Sequence, residues 1–240
     1  MKIIDIESIE YVNKLEEKLN YKFKNIDLLL SAITHTSFAN EYIQKKGVQV
    51  EHNERMEFLG DSILSTSISS YIYKNYPQFS EGQLSKLRAV LVCEASLAEL
   101  ANNLDLSDYL LLGIGEKATG GANKTSILSD AYESIIGAIF LDSNYERANE
   151  YILLKMENDI KLKVKNFYNT DYKTNLQELI QKDGKTQVKY DIIASQGPCH
   201  DKTYTAQVIV SDGRAGTGEG KTKKDAEQNA ARDFLSKEIR

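Results

Sequence analysis

Residues 53–64 read Asn53-Glu54-Arg55-Met56-Glu57-Phe58-Leu59-Gly60-Asp61-Ser62-Ile63-Leu64. At 100° per residue, a helix places Glu54, Glu57 and Asp61 within about 60° of one another, with Met56, Leu59 and Ile63 on roughly the opposite face. The spacing predicts a helix with one buried side and a narrow stripe of carboxylates on the other. Like charges three and four residues apart destabilise a helix by about 0.2–0.5 kcal/mol per pair. The stripe therefore points to a cation that offsets the repulsion, and carboxylate-held cations serve phosphate chemistry.

A second acidic pair sits in Ser129-Asp130-Ala131-Tyr132-Glu133-Ser134-Ile135-Ile136-Gly137. Asp130 and Glu133 share a helix face, while Ile135, Ile136 and Ile139 lie largely opposite. Gly137 returns to the acidic face one turn beyond Glu133 and leaves room for another helix or a substrate. One acidic helix face is most simply a solvated face. Two such helices, each with an opposed apolar face, can share a core and bring their acidic edges together. Four carboxylates from two helices suit Mg²⁺, which prefers octahedral oxygen ligands. Two such ions about 4 Å apart would activate a water and stabilise the leaving oxygen of a phosphodiester.

Other residues read less sharply. Glu81 lies in the first turn of a capped helix, where the dipole favours any acid, so by itself it is structural. Glu54 shares the stripe but can pair with Arg55 or a lysine. Phe58 points about 40° beyond the acids. It reads equally as part of a wider core or as an anchor for a partner beside them.

Outward from these helices, residues 1–165 show helical periodicity at Ile9–Leu19, Ile26–Ala32, Asn53–Tyr73, Glu81–Asn102, Ser126–Leu141 and Asn144–Lys165. Ser80-Glu81-Gly82-Gln83 is a capping box. Gly113–Lys124, with Gly120-Gly121 at its centre, reads as a loop. Residues 166–172 break the pattern and form the expected linker. The remainder, 173–240, changes character. A helix at Lys173–Lys182 is followed by alternating strands at Gln187–Ala194 and Thr203–Val210, a short strand at Arg214–Gly220 thinned by three glycines, and a helix at Thr222–Leu235. The expected fold is thus an all-α domain followed by a small α+β domain of order α-β-β-β-α, an antiparallel meander with both helices on one face.

Composition narrows the classes. The chain has 240 residues, 41% of them hydrophobic and 27% charged, as in globular proteins. No apolar run approaches the ~18 residues that span a bilayer. The N-terminus lacks a basic-then-apolar signal pattern, so the expected location is cytoplasmic, with no membrane contact. Cys93 and Cys199 have no CxxC spacing and are expected as thiols. With three scattered histidines they make no zinc site. No GxxxxGK[ST] loop is present, and no small-molecule cofactor is expected. The net charge of −5 is unevenly spread, with 12 basic against 11 acidic residues from Asp171 onward and 18 against 24 before it. An acidic metal-binding front joined to a slightly basic tail suits two modules.

The tail offers three contact points. Lys221, Lys223 and Lys224 flank a Thr222 N-cap, so lysines and backbone amides point together toward a phosphate. The loop Gly197-Pro198-Cys199-His200-Asp201-Lys202 projects His200 and Lys202. Thr174, Gln177 and Glu178 present polar groups at helical spacing. Such a triple suits double-stranded RNA, which is read by shape, phosphates and 2′-hydroxyls.

These motifs resemble a family. Asn53–Leu64 resembles the signature of bacterial ribonuclease III, and Ser126–Ala138 matches its second acidic motif. The Gly-Pro-x-His-x-Lys loop and the Lys-x-Lys-Lys-x-Ala-Glu helix start resemble a double-stranded-RNA-binding domain. The resemblance implies a homodimeric, Mg²⁺-dependent endonuclease, with Mn²⁺ as a possible substitute. It would cut both strands of duplex RNA, leave 5′-phosphate and 3′-hydroxyl ends, and process ribosomal RNA precursors and other structured transcripts. It assigns metal to Glu57, Asp61, Asp130 and Glu133, with Asp61 and Glu133 most critical for catalysis. Glu54 and Glu81 match secondary acids of the cleft, and Phe58 matches a dimer-interface aromatic. One departure is Ala122-Asn123-Lys124-Thr125, where the family carries a more basic run. The competing expectations are a double-stranded-RNA-binding regulator that does not cleave, and a metal phosphohydrolase for small nucleotides.

Overall fold

The computed structural model of the chain describes residues 6–168, 172–182, 187–198 and 201–238. The chain divides into two compact units, Met1–Lys161 and Leu162–Arg240. The first is helical: α1 Ile6–Leu19, α2 Ile26–Ala32, α3 Thr36–Lys46, α4 Glu54–Asn75, α5 Glu81–Leu91, α6 Glu94–Asn103, α7 Ile114–Ala118, α8 Thr125–Asp142 and α9 Tyr145–Tyr168, with short 3-10 turns at Leu106–Tyr109 and Gly121–Asn123. Among the described residues, no helix is long and apolar enough to cross a membrane.

Helix α8 is the centre of this unit. It packs on α2, α4 and α6, and Leu128, Ala131, Tyr132, Ile135, Ile136 and Ile139 are each no more than 2% exposed. A helix apolar on most sides is the one that others surround. The inward face of α4 differs from the expected Met56/Leu59/Ile63 set. Its buried residues are Gly60, Ile63, Leu64, Ser67, Ile68 and Ile72, and Met56 and Leu59 are only half-buried. The inward direction is centred on Gly60, where close approach to α8 is possible, so the acidic stripe borders the buried face instead of opposing it.

Three further local readings change. The helix expected over 81–102 is two helices. Its break lies at Val92-Cys93, where the Ser96 hydroxyl donates to the Val90 carbonyl (2.8 Å) and satisfies one of the carbonyls left open at the end of α5. The capping box at Ser80 forms as read. Helix α3 has only Ala39 buried, so it leaves no periodic apolar signal. Its ends are set by His35 as N-cap and by Gly47 at φ 69°, a left-handed conformation glycine adopts without strain. The segment Gly113–Lys124, read as loop, holds α7 and the second 3-10 turn.

Helix α9 continues to Tyr168 and α10 spans Tyr172–Lys182, so only 169–171 of the expected 166–172 linker lie between helices. The second unit then runs β1 Val188–Gln196, β2 Thr203–Val210, β3 Ala215–Gly220 and α11 Lys223–Glu238. The sheet is antiparallel in the order β1-β2-β3. Both helices cover one face, where Leu176 and Ile180 of α10 meet Val208 of β2 and Ala230 and Phe234 of α11. The predicted alternation of β1 holds through Ile192, which pairs with Ala206. Beyond it Ile193 is extra, and Ala194 pairs with Thr205. This β-bulge turns Ala194 to the other face. The glycines of β3 also have a positive role. A Cβ on Gly216 would lie 2.5 Å from the Ala230 carbonyl oxygen, and one on Gly218 would overlap the Ala230 amide nitrogen. Side chains there would hold α11 off the sheet.

Candidate active site

Helices α4 and α8 cross with their backbones in contact. A Cβ on Gly60 would overlap the Glu133 carbonyl oxygen, and one on Gly137 would lie 2.5 Å from the Met56 carbonyl oxygen. The crossing is pinned at the start of α4. The Ser134 hydroxyl donates to the Asn53 carbonyl (3.2 Å), and the Asn53 N–H donates to the Thr34 carbonyl (2.9 Å). This register brings Glu57 of α4 to Asp130 and Glu133 of α8. One carboxylate oxygen from each lies within 4.8 Å of the other two, and all three side chains are half-buried.

Asp61 stands outside this tight triple. It is exposed, and its carboxylate accepts a hydrogen bond from the Ser65 hydroxyl (3.4 Å). Its charge nevertheless reaches the triple. Burial first, then Asp61, Glu57 and Asp130, push the Glu133 carboxyl up to about 8. Burial, then Asp130, Glu54 and Asp61, raise Glu57. Burial also raises Asp130, opposed by the hydrogen bond it accepts from the Ser129 hydroxyl; Glu94 adds to the rise and His35 opposes it. Among the described residues, the basic side chain that acts on these acids is His35, at Asp130. Half-buried oxygen donors with surplus negative charge are the donor set of a hard divalent cation, so the residues fit a metal.

The remaining predicted acids are peripheral. Glu54 is exposed, 3.8 Å from His52 Nδ1. Glu81 opens α5 and accepts a hydrogen bond from the Ser85 hydroxyl (2.8 Å). It lines a groove between α4 and α5 with Ser65, Ser69 and Arg88, apart from the triple. Phe58 is 78% exposed, beside the acids and outside the core. Two residues near Asp130 escaped the reading of the sequence, His35 and Glu94. No periodicity links either to Asp130; the packing of α6 on α8 brings Glu94 there, and the hydrogen bond from the Asn53 N–H to the Thr34 carbonyl holds His35 beside the start of α4. Lys124, the remaining cation of the glycine loop, pairs with Glu116 at 2.6 Å.

In the second unit, Thr174, Gln177 and Glu178 lie along α10, each partly exposed. A Glu178 oxygen, Oε1, is buried with no hydrogen-bond partner. The Thr222 hydroxyl accepts from the Asp225 N–H (3.1 Å), the predicted cap. Lys221 pairs with Asp201 at 2.6 Å. Lys223 and Lys224 are exposed, and Lys202 is partly exposed. His200 and Cys199 lie outside the described residues.

A helical domain that gathers carboxylates at a helix crossing, followed by an α-β-β-β-α module with lysines at a helix start, is the build of a nuclease that carries its own RNA-binding domain. The ribonuclease-III-like family model matches residues 25–160, and the double-stranded RNA binding motif matches 172–238. The chain belongs to the ribonuclease III family, the endoribonucleases of double-stranded RNA. It is 43% identical over 226 residues to Ribonuclease 3 of Clostridium acetobutylicum, covering 94% of this chain and 96% of that protein. It is 47% identical over 218 residues to Ribonuclease 3 of Natranaerobius thermophilus, covering 91% and 92%. A solved nuclease domain of ribonuclease III from Campylobacter jejuni, studied for flexibility in a region involved in dimer formation, superposes with a TM-score of 0.56 at 44% identity. That match covers 61% of this chain and 96% of that one.

Proposed function

We propose that this chain hydrolyses both strands of double-stranded RNA as a homodimer, leaving 5′-phosphate and 3′-hydroxyl ends, and that its substrates include ribosomal RNA precursors and other structured transcripts. The observation that carries the reading is the half-buried triple Glu57, Asp130 and Glu133, with the Glu133 carboxyl pushed up to about 8 by burial and by its acidic neighbours. Mg²⁺, or Mn²⁺ in its place, would be held by Glu57, Asp61, Asp130 and Glu133, and when bound supplies water activation and charge neutralisation for in-line attack at phosphorus.

The chain's own residues set the geometry. Contact between Gly60 and Gly137 fixes the spacing of the acids. Asp61, exposed at the rim, faces the approaching phosphodiester, and Glu54 and Glu81 extend the negative lining of the cleft. Exposed Phe58 is the proposed interface residue; pairing two subunits gives one site per strand. The Campylobacter domain's dimer-forming region supports a dimer here. We place the catalytic domain at 1–165 and the RNA-binding domain at 173–240, joined by 166–172. In the latter, Lys221, Lys223 and Lys224 with His200 and Lys202 meet phosphates, and Thr174, Gln177 and Glu178 meet ribose. The partial exposure of all three along α10 supports that assignment.

The test is a labelled duplex incubated with the protein and Mg²⁺, then with EDTA. Cleavage that EDTA abolishes supports the reading. Duplex binding without Mg²⁺-dependent cleavage rejects it in favour of a regulator.

A further inference from the structure

His35 is held in one tautomer by the fold. Its ring Nδ1 accepts the Ser37 N–H (3.2 Å) as the N-cap of α3 and lies 2.8 Å from the Ser37 hydroxyl. That hydroxyl accepts from the Gly113 N–H (2.9 Å), which leaves its own proton to donate to Nδ1. Two donors converge on Nδ1, so the neutral ring must carry its hydrogen on Nε2. Nε2 has no hydrogen-bond partner among the described residues and is not among the fully buried atoms. The ring lies within electrostatic reach of Asp130 and Glu116.

The backbone around His35 is equally constrained. Its N–H donates to the Leu111 carbonyl (3.0 Å), and the preceding Thr34 carbonyl accepts the Asn53 N–H that starts α4. The ring is thus tied to the three segments that surround the acids: the start of α4, the approach to the glycine loop, and, through Asn53 and Ser134, α8.

We propose that His35 contacts the substrate through its Nε2–H, donating a hydrogen bond to an oxygen of the RNA backbone beside the scissile position. The inference rests on the nuclease reading above. A ring nitrogen that bears hydrogen has no lone pair to offer a metal, so this histidine is unsuited to be a ligand. With Nδ1 taken up by Ser37, the Nε2–H is a donor without a partner among the described residues, suited to a ribose 2′-hydroxyl or a phosphate oxygen.

The test is His35→Asn, because asparagine caps a helix as well as any residue but has no donor at the distal position. With Mg²⁺ and a duplex substrate, kcat/KM is expected to fall about tenfold, the scale of one lost hydrogen bond to a charged or strongly polar acceptor, at unchanged melting temperature. A scan of single 2′-deoxy substitutions then identifies the acceptor. If the 2′-hydroxyl accepts, the penalty at one position in wild type disappears in the variant; if a phosphate oxygen accepts, every penalty persists while the tenfold loss remains. Cleavage within twofold of wild type overturns the proposal. So does nitrogen NMR of the wild-type protein showing hydrogen on Nδ1, a measurement that does not depend on the variant folding. If wild type itself fails to cleave, the nuclease reading fails first, and the two failures are distinguishable.

Discussion

Gly60 of α4 and Gly137 of α8 face each other across the helix crossing. A Cβ on Gly60 would lie 3.1 Å from the Gly137 amide nitrogen, and one on Gly137 would lie 3.4 Å from that of Gly60. The carboxylates converge because nothing but backbone separates the helices here. Gly60→Ala would also overlap the Glu133 carbonyl oxygen, so the helices must part. The expected destabilisation is about 3 kcal/mol, at the upper end for overpacking, measured by urea denaturation of the full chain. Any folded fraction should cleave at least about 100-fold more slowly, since displacement near 1 Å costs that much in positioned chemistry.

Glu133 gives a pH prediction with a definite sign. Its folded pKa, about 8, lies above the ordinary 4.5, so between those values the folded protein holds a proton that the unfolded chain has lost. Without metal, stability should therefore fall as pH rises from about 4.5 through about 8. Glu133→Gln removes that loss. In EDTA the variant should be more stable than wild type at pH 9, by about 1 kcal/mol once solvent screening of this half-buried group is allowed for, and equal to it at pH 4. Thermal melts across that range check it. The same variant should bind duplex RNA without cutting it.

Metal should reverse the repulsion. Adding Mg²⁺ at pH 8 to a hundred times its dissociation constant should stabilise the wild-type fold by about 2.7 kcal/mol, read as a rise in melting temperature. An Asp130→Asn/Glu133→Gln double variant should show little of that rise. An equal rise in both would place the ion elsewhere.

Phe58 is exposed and makes no contribution to the core of its own chain, so Phe58→Ala should leave the melting temperature of a monomer unchanged. It should weaken self-association at least about tenfold, within the range of an interface hot spot, as measured by sedimentation equilibrium. Unchanged sedimentation would remove it from the interface.

Lys223 and Lys224 are exposed at the start of α11. The double alanine variant should weaken duplex binding uniformly across sequences. The slope of log affinity against log salt should become shallower by about one per lysine lost. Titrations at several salt concentrations in EDTA separate this from any effect on cleavage.

Much of the molecule follows from local chemistry. The period of residues 53–64 and 129–137 sets two helices with acidic edges, and the Ser80 box and the Thr222 cap fix helix starts where they were read. The alternation of Val188, Tyr190 and Ile192, and of Ala206, Val208 and Val210, gives the paired strands. Each is a short-range preference acting over one or two turns. Helix α3 escaped because its sequence buries almost nothing; its caps alone define it. The roles of Gly60, Gly216 and Gly218 escaped for the opposite reason. A glycine's local effect is to weaken an element, and its value here depends on a backbone that arrives from elsewhere in the chain.

The sequence by itself determined the two kinds of domain, the order of elements in the second, and the acidic stripes of two helices, because these rest on periodicity and residue type. Only the tertiary structure decided which acids share a site. It packed Glu57 with Asp130 and Glu133, left Asp61 at the rim, and carried His35 to the edge of Asp130. The physical reason is the crossing of α4 and α8: where two backbones touch, a rotation of either helix by a fraction of a turn selects which carboxylates meet, and that rotation is set by packing around Gly60 and Gly137.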